Sequence, residues 1–286
     1  MSENIKVSII TPVYKGNKYL KKLLKNICEA LKFDKSLKFE WILVNDFPSE
    51  KLINLNSLNT NLIIRMISNS KNLGIQASRV NGLKIAKGEY VLFLDQDDLL
   101  TKDAIQLHLK NISDYDVSVG NGYLEDIQKE YRKIFKNINQ INYVKNISTY
   151  FFIGNIIISP GMVLIKRKKI PTYWQKRTLK YNGADDWLLW VMLLADNAKF
   201  TTFDSITYIH RYTAENTSDN VTGMIKSSEE ALQSFIGIYP EYKKIAPVYI
   251  KRLTIWHNIS LEKKNKFIQY LVHPSIGLRF FIYKVR

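Results

Sequence analysis

A short apolar run, Tyr90 to Leu94, ends in four polar residues: Asp95, Gln96, Asp97 and Asp98. Carboxylates at i and i+2 just past a strand end can point into one crevice and hold a hard divalent cation. Mg²⁺ or Mn²⁺ takes few protein carboxylates and fills its shell with phosphate oxygens, so the pair suits a nucleotide diphosphate. Open α/β sheets also place ligands outside the carboxyl ends of their strands. The plainer alternative is a solvated acidic turn, or Asp98 capping a helix that begins near Thr101.

A second carboxylate pair opens a strongly apolar pattern. Asp185 and Asp186 stand in ADDW, Ala184 to Trp187, at the start of a helix expected over 183–195. The helix dipole there favours ionised carboxylates, and capping is the competing role. Trp187 and Trp190 share one helical face and read as core before they read as a pocket wall. His210 and Arg211 end a strand in YIHRY, whereas His108, His257 and His273 have no chemical context and read as structural.

These groups need a scaffold, and the first hundred residues supply the pattern of one. KVSIITPVY, FEWILVND, LIIRMIS and EYVLFLD read as four strands. Helical spacing runs over 18–32 and 75–86, and 49–58 is a short helix or loop. Continuous apolar strands separated by helices mean a parallel sheet covered on both faces. Farther on, 117–120, 161–165 and 205–212 read as strands and 224–236 as a helix.

Composition bounds the rest. The chain has 286 residues, 46% hydrophobic and 24% charged, which is ordinary for a globular protein with a sizeable core. The single cysteine, Cys28, rules out an internal disulfide, reads as a buried thiol and fits a reducing compartment. No basic leader with a long apolar run opens the chain, and no window has the roughly 18 apolar residues of a spanning helix. The net charge is +16, which favours polyanionic partners.

Four features fall together at expected strand ends. Thr11, Pro12 and Tyr14 (TPVY) follow the first strand and Asp46 ends the second. Asn72, Gly74 and Arg79 follow the third, and Asp95 with Asp97 the fourth. Jointly they describe a crevice with an aromatic platform, a base-binding carboxylate, a cation and a metal site. With Asn81 and Gly82 beside Arg79, this ordered set resembles the family 2 glycosyltransferases, inverting enzymes of the GT-A fold. The resemblance covers about residues 5–215.

The resemblance implies a Rossmann-like α/β fold, a mainly parallel central sheet flanked by helices, with a C-terminal helical extension. It implies a catalytic domain over 1–240, with 1–100 the nucleotide-binding half and 101–240 the acceptor half. It also implies transfer from a nucleotide sugar, commonly a UDP-sugar, to a hydroxyl of a glycan or lipid-linked glycan. Thr11, Pro12, Tyr14, Asp46, Asn72, Gly74, Arg79 and Asp95 match nucleotide-binding positions. Asp97 matches the ligand of Mn²⁺ or Mg²⁺, with Asp95 and His210 beside it. ADDW is similar to the family's ED-like motif, which makes Asp186 the general base and Asp185 its support. The family usually continues VND as GSxD, whereas this chain has Phe47, Pro48, Ser49 and Glu50. The QxxRW motif of processive members is missing, which implies single additions.

The last segment, 241–286, carries half of the net charge: ten Lys or Arg against two Glu, interleaved with eight aromatics. Basic amphipathic segments of this kind lie on anionic membranes or pack as helices, so the expected location is cytoplasmic, peripheral on the inner face. A nucleic-acid-binding protein is the alternative that charge alone suggests. It has no recognisable binding motif and leaves both carboxylate pairs unused, so no nucleic-acid partner is expected. A nucleotidyltransferase would need a glycine-rich basic loop after the first strand, which TPVYKGNKYL does not provide.

Overall fold

The computed structural model describes residues 4–56, 59–213 and 219–285. Contacts divide the chain into two compact units. One comprises Met1–Phe135, Ser159–Ile170 and Ala198–Thr213, and the other Lys136–Ile158, Pro171–Asn197 and Ala214–Arg286. The chain crosses between them repeatedly, so contacts do not part it at residue 240.

Among its described residues the first unit is a nine-stranded sheet with three α-helices. Its parallel half is β3-β2-β1-β4, built from β1 (Ile5–Val13), β2 (Lys38–Asn45), β3 (Leu62–Ser68) and β4 (Tyr90–Phe93). These are the four strands the apolar runs predict. β1 and β2 are buried almost throughout, as strands covered on both faces must be. Helix α1 (Asn17–Ala30) buries Leu20, Leu23, Ile27 and Ala30 at helical spacing. Cys28 lies on the same helix and is half-buried, because it falls beside that stripe and not within it. Helix α2 (Ile75–Ile85) packs on β1 and β2 through Gly82, where an added Cβ would stand 2.5 Å from Ile10 Cγ2.

Beyond β4 the sheet is mixed. β5 (Leu99–Leu100), β6 (Val117–Glu125), β7 (Tyr131–Lys133), β8 (Val163–Lys166) and β9 (Phe200–Arg211) complete it in the order β4-β8-β6-β9-β5, with β7 paired to β6. β8 runs antiparallel to β4 and β6, whereas β6 and β9 are parallel. Helix α3 (Ala104–Ile112) packs on β6 and β9.

The second unit is helical: α4 (Ile138–Ile141), α5 (Ile147–Phe152), α6 (Thr172–Lys176), α7 (Asp185–Ala195), α8 (Val221–Ile238), α9 (Ala246–Ser260), α10 (Lys266–Val272) and α11 (Pro274–Val285). Its core is aromatic. Trp187 stacks on Tyr249 at 4.5 Å, and Phe151 meets Trp187 edge-on at 5.8 Å and Phe235 at 5.9 Å. Trp187 and Trp190 are therefore core, as expected, and Trp187 Nε1 donates to the Tyr150 carbonyl at 3.1 Å. No described helix is long and apolar enough to cross a membrane.

Candidate active site

The sheet unit interlocks the four strand-end motifs. β1 and β4 end side by side, so the Tyr14 amide donates to Gln96 Oε1 at 3.0 Å and Gln96 Nε2 donates to the Tyr14 carbonyl at 3.2 Å. Gln96, the residue between the two aspartates, thereby holds the Tyr14 loop against the acidic turn. Tyr14 itself is exposed. Its ring meets Phe47 edge-on at 5.4 Å, and Lys15 Nζ lies 5.5 Å and 5.0 Å from the two ring centres. An exposed aromatic pair with a cation beside it is a surface on which a flat heterocycle can stack.

Thr11 and Pro12 do not reach this surface. The motif expected to follow the first strand lies inside it, since β1 continues to Val13. Thr11 is buried and its hydroxyl accepts from Trp41 Nε1 at 2.9 Å. Pro12 is tolerated because β1 has lost its β4 partner beyond Ile10. Ile10 faces β4 through the Leu94 amide, and Pro12, two residues on, has no ladder bond to make there.

Asp46 is buried and fully engaged. Oδ1 accepts from Asn69 Nδ2 and the Leu73 amide, both at 2.8 Å, and Oδ2 accepts from the Gly74 amide at 2.9 Å. Asn72 Oδ1 also accepts from the Gly74 amide, at 3.1 Å. Gly74 holds φ +88° at the start of α2, a conformation open to glycine. Asp46 thus shapes the Asn72–Gly74 loop. One turn into α2, the nearly buried Arg79 pairs through Nη2 with Asp95 Oδ1 at 2.6 Å.

The acidic turn is crowded. Asp97 is pushed up to about 7 by burial first, then by the charges of Asp98 and Asp95. Its Oδ2 accepts from Thr213 Oγ1 at 3.3 Å. Asp98 caps no helix, because α3 begins only at Ala104 and residues 99–100 pair with β9. It is buried instead, accepting from the Tyr208 hydroxyl and, at 2.8 Å, from the Arg211 amide. His210 Nδ1 lies 3.2 Å from Asp98 Oδ1. Burial alone would lower the His210 pKa. The Asp98 hydrogen bond and the charges of Asp98, Asp95 and Asp97 outweigh it and raise the pKa.

Among the described residues no three His, Cys, Asp or Glu side chains form a ready ligand set. The donor chemistry still fits a hard divalent ion. Mg²⁺ or Mn²⁺ needs one or two carboxylates and completes its shell with substrate phosphates and water. Burial first, and then the charges of Asp98 and Asp95, raise Asp97, so an added positive charge is favoured beside it.

In the helical unit, Asp185 and Asp186 are the first residues of α7 and both are buried. Neither is the cap: Ala184 stands there, and its amide donates to Ser227 Oγ at 3.0 Å. Asp186 Oδ2 accepts from Asn155 Nδ2 at 2.7 Å, and Oδ1 from the Trp187 amide at 2.7 Å. The Asp185 carbonyl accepts from Trp174 Nε1 at 2.7 Å.

Sequence reading missed Gln96, Asp98, Tyr208 and Asn155 as supporting groups. Tyr208 was detectable, since it alternates with His210 on one strand face. Asn155 gave no signal, lying 31 residues from its partner.

The Glycosyl transferase family 2 model matches residues 8–174. An uncharacterised glycosyltransferase of Methanocaldococcus jannaschii is 28% identical over 250 residues, covering 83% of this chain and 79% of its own. A UDP-Glc:α-D-GlcNAc-diphosphoundecaprenol β-1,3-glucosyltransferase of Escherichia coli is 26% identical, covering 80% of this chain and 83% of its own. Two other curated relatives are longer, and the chain spans 31% of each. Among solved structures, Staphylococcus aureus TarS 1–349 with UDP-GlcNAc superposes with TM-score 0.61 at 18% identity, covering 90% of this chain and 73% of its own. A Pyrobaculum calidifontis mannosyltransferase with GDP-Man and Mn²⁺ gives TM-score 0.55 at 14% identity, covering 99% and 83%. These likenesses establish the GT-A fold.

Proposed function

The chain belongs to glycosyl transferase family 2, and from that premise we propose that it moves a sugar from a UDP-sugar to a hydroxyl of a glycan or lipid-linked glycan, with inversion, in surface polysaccharide synthesis. The observation that carries this reading is the interlocked acidic turn: Gln96 tied to Tyr14, Asp95 to Arg79, and Asp97 between them. Tyr14 and Phe47 would stack the base, and Asn72 and Gly74, held by Asp46, would line the nucleoside. Asp95, aimed by Arg79, would meet the ribose side. Asp97 would hold Mn²⁺ or Mg²⁺, with Asp95 and His210 alongside. The ion, when bound, neutralises charge that develops on the diphosphate. The Mn²⁺-containing mannosyltransferase supports a divalent ion.

Inversion needs a base for the acceptor hydroxyl. We assign it to Asp186, with Asp185 in support. The α7 N-terminus favours an ionised carboxylate, and Asn155 fixes its orientation. The acceptor class follows the diphosphoundecaprenol-linked substrate in the Escherichia coli relative's name. That substrate class implies work at the cytoplasmic membrane face, reached through the segment beyond Glu241.

A panel of nucleotide sugars with Mn²⁺, followed by release of the nucleotide diphosphate, tests the reading. Hydrolysis of UDP-sugars above GDP-sugars is expected. Nucleoside triphosphate turnover in its place would overturn it.

A further inference from the structure

The segment beyond Glu241 has two different fates. α9 is core to the helical unit: Tyr249, Leu253 and Ile255 are buried, and Arg252 Nε donates to the Ile153 carbonyl at 2.6 Å. The pair α10–α11 carries two apolar stripes, and only one is used. On α11 the inner stripe is Ile276, Phe280 and Tyr283. Phe280 stacks on Tyr270 of α10 at 4.8 Å, and Tyr283 meets Tyr143 at 5.5 Å.

The outer stripe is Leu278, Phe281 and Val285, at i, i+3 and i+7 of the same helix. α10 adds Phe267, Leu271 and Val272. All six are between 61% and 71% exposed. Apolar side chains at helical spacing on the side away from the core form a face that is unpartnered among the described residues.

The charge around this face says what covers it. Residues 262–285 hold Lys263, Lys264, Lys266, Arg279 and Lys284 against the single carboxylate Glu262. Arg279 packs over Phe152 at 3.8 Å, and all five cations are exposed. An apolar helix face with a cationic border matches an anionic lipid surface, where acyl chains take the side chains and headgroups take the charges. At about 1.5 Å per residue the helices are roughly 10 and 18 Å long, too short to span the ~30 Å hydrocarbon layer. They must therefore lie in its plane.

We propose that α10–α11 is an in-plane membrane anchor that docks the enzyme on an anionic bilayer through Phe267, Leu271, Val272, Leu278, Phe281 and Val285. The proposal rests on the membrane-face reading above and narrows it to this helical pair, leaving α9 in the protein core.

The full chain is assayed on vesicles of phosphatidylglycerol mixed with phosphatidylcholine, and on phosphatidylcholine alone. Binding at least about tenfold tighter to the anionic vesicles is expected, falling as salt rises. The pair Phe267→Gln and Phe281→Gln should weaken it about ten- to a hundredfold and leave donor hydrolysis unchanged. Their exposure makes both replacements harmless to folding. A Phe281→Trp variant should show extra quenching by brominated lipid over the unmodified chain.

Absence of binding, or binding untouched by the glutamine pair, would overturn the anchor. A dimer in solution that the glutamine pair dissolves would overturn it too, by assigning the face to a second copy. Vesicle binding as expected, with sugar transfer only to a soluble glycan, would support the anchor while removing the lipid-linked acceptor.

Discussion

The two compact units solve the same problem, holding carboxylates in place, by different means. The sheet unit distributes its groups over the ends of parallel strands and ties them by polar bonds between neighbouring loops. Tyr14 is held by Gln96, Gly74 by Asp46, and Asp95 by Arg79. The helical unit sets Asp185 and Asp186 at the mouth of one apolar helix and surrounds that helix with aromatic rings. The Asn155 side chain donates to Asp186. The contrast teaches that a strand-end site is a network whose parts are legible one by one, whereas a helix-end site depends on packing contributed from elsewhere in the chain.

If this division is also a division of labour, the sheet unit serves the donor and the helical unit the acceptor step. The largest effect is expected at Asp97. Asp97→Ala should lower turnover by about 10³-fold or more, the several kcal/mol that a Lewis-acid ion supplies, with unchanged circular dichroism. EDTA should act alike on the unsubstituted protein, and full activity in either experiment would break the assignment.

Next in size is the helical unit's carboxylate. Asp186→Asn should cost about 10²- to 10⁴-fold in transfer, the usual worth of a general base, while donor affinity stays normal by calorimetry. A dead Asp185→Asn beside a near-normal Asp186→Asn would reverse the two roles. A loss of donor affinity in either variant would dissolve the division itself.

A smaller effect sharpens the donor side. Phe47→Ala removes one ring of the aromatic pair, worth about 0.5–1.5 kcal/mol, so donor KM should rise roughly two- to tenfold with kcat retained. An unchanged KM would leave Tyr14 as the stacking platform without Phe47.

The last prediction concerns stability of the sheet unit alone. His108 is fully buried, with Nδ1 3.1 Å from Ser118 Oγ, and burial lowers its pKa to about 3. Its unfolded pKa lies near 6.5. Protons therefore bind the unfolded chain preferentially, and stability falls as pH drops below about 6.5, by ~2 kcal/mol at pH 5. Urea titrations should show that slope, and His108→Gln should flatten it. Equal slopes in both proteins would remove His108 as the cause.

Legibility followed the same division. β3 coincides with its apolar run, Leu62–Ser68, and α1 and α2 lie within two residues of their expected ends. α7 and α8 were readable because each spans several turns. β9 begins at Phe200, earlier than its apolar part, since its polar start pairs with β6. The nine-residue α3 was expected only as a helix beginning near Thr101 and starts three residues later, and α4, α5 and α6 are too short to complete a periodic pattern.

The sequence by itself determined the alternation of strand and helix, the strand-end placement of Tyr14, Asp46 and Asp95, and the carboxylates that open α7. Those properties are read along the chain, because burial periodicity and motif spacing are local. Tertiary structure alone decided which lone pairs are already used. It turned Asp98 from an expected cap into the partner of Tyr208 and the Arg211 amide, more than a hundred residues away. It also withdrew Thr11 into the sheet, gave Asp46 to the Gly74 loop, and separated α9 in the core from the exposed face of α10–α11. Hydrogen-bond partners and covered faces are set by which distant segments pack together, and no pattern along the chain encodes that.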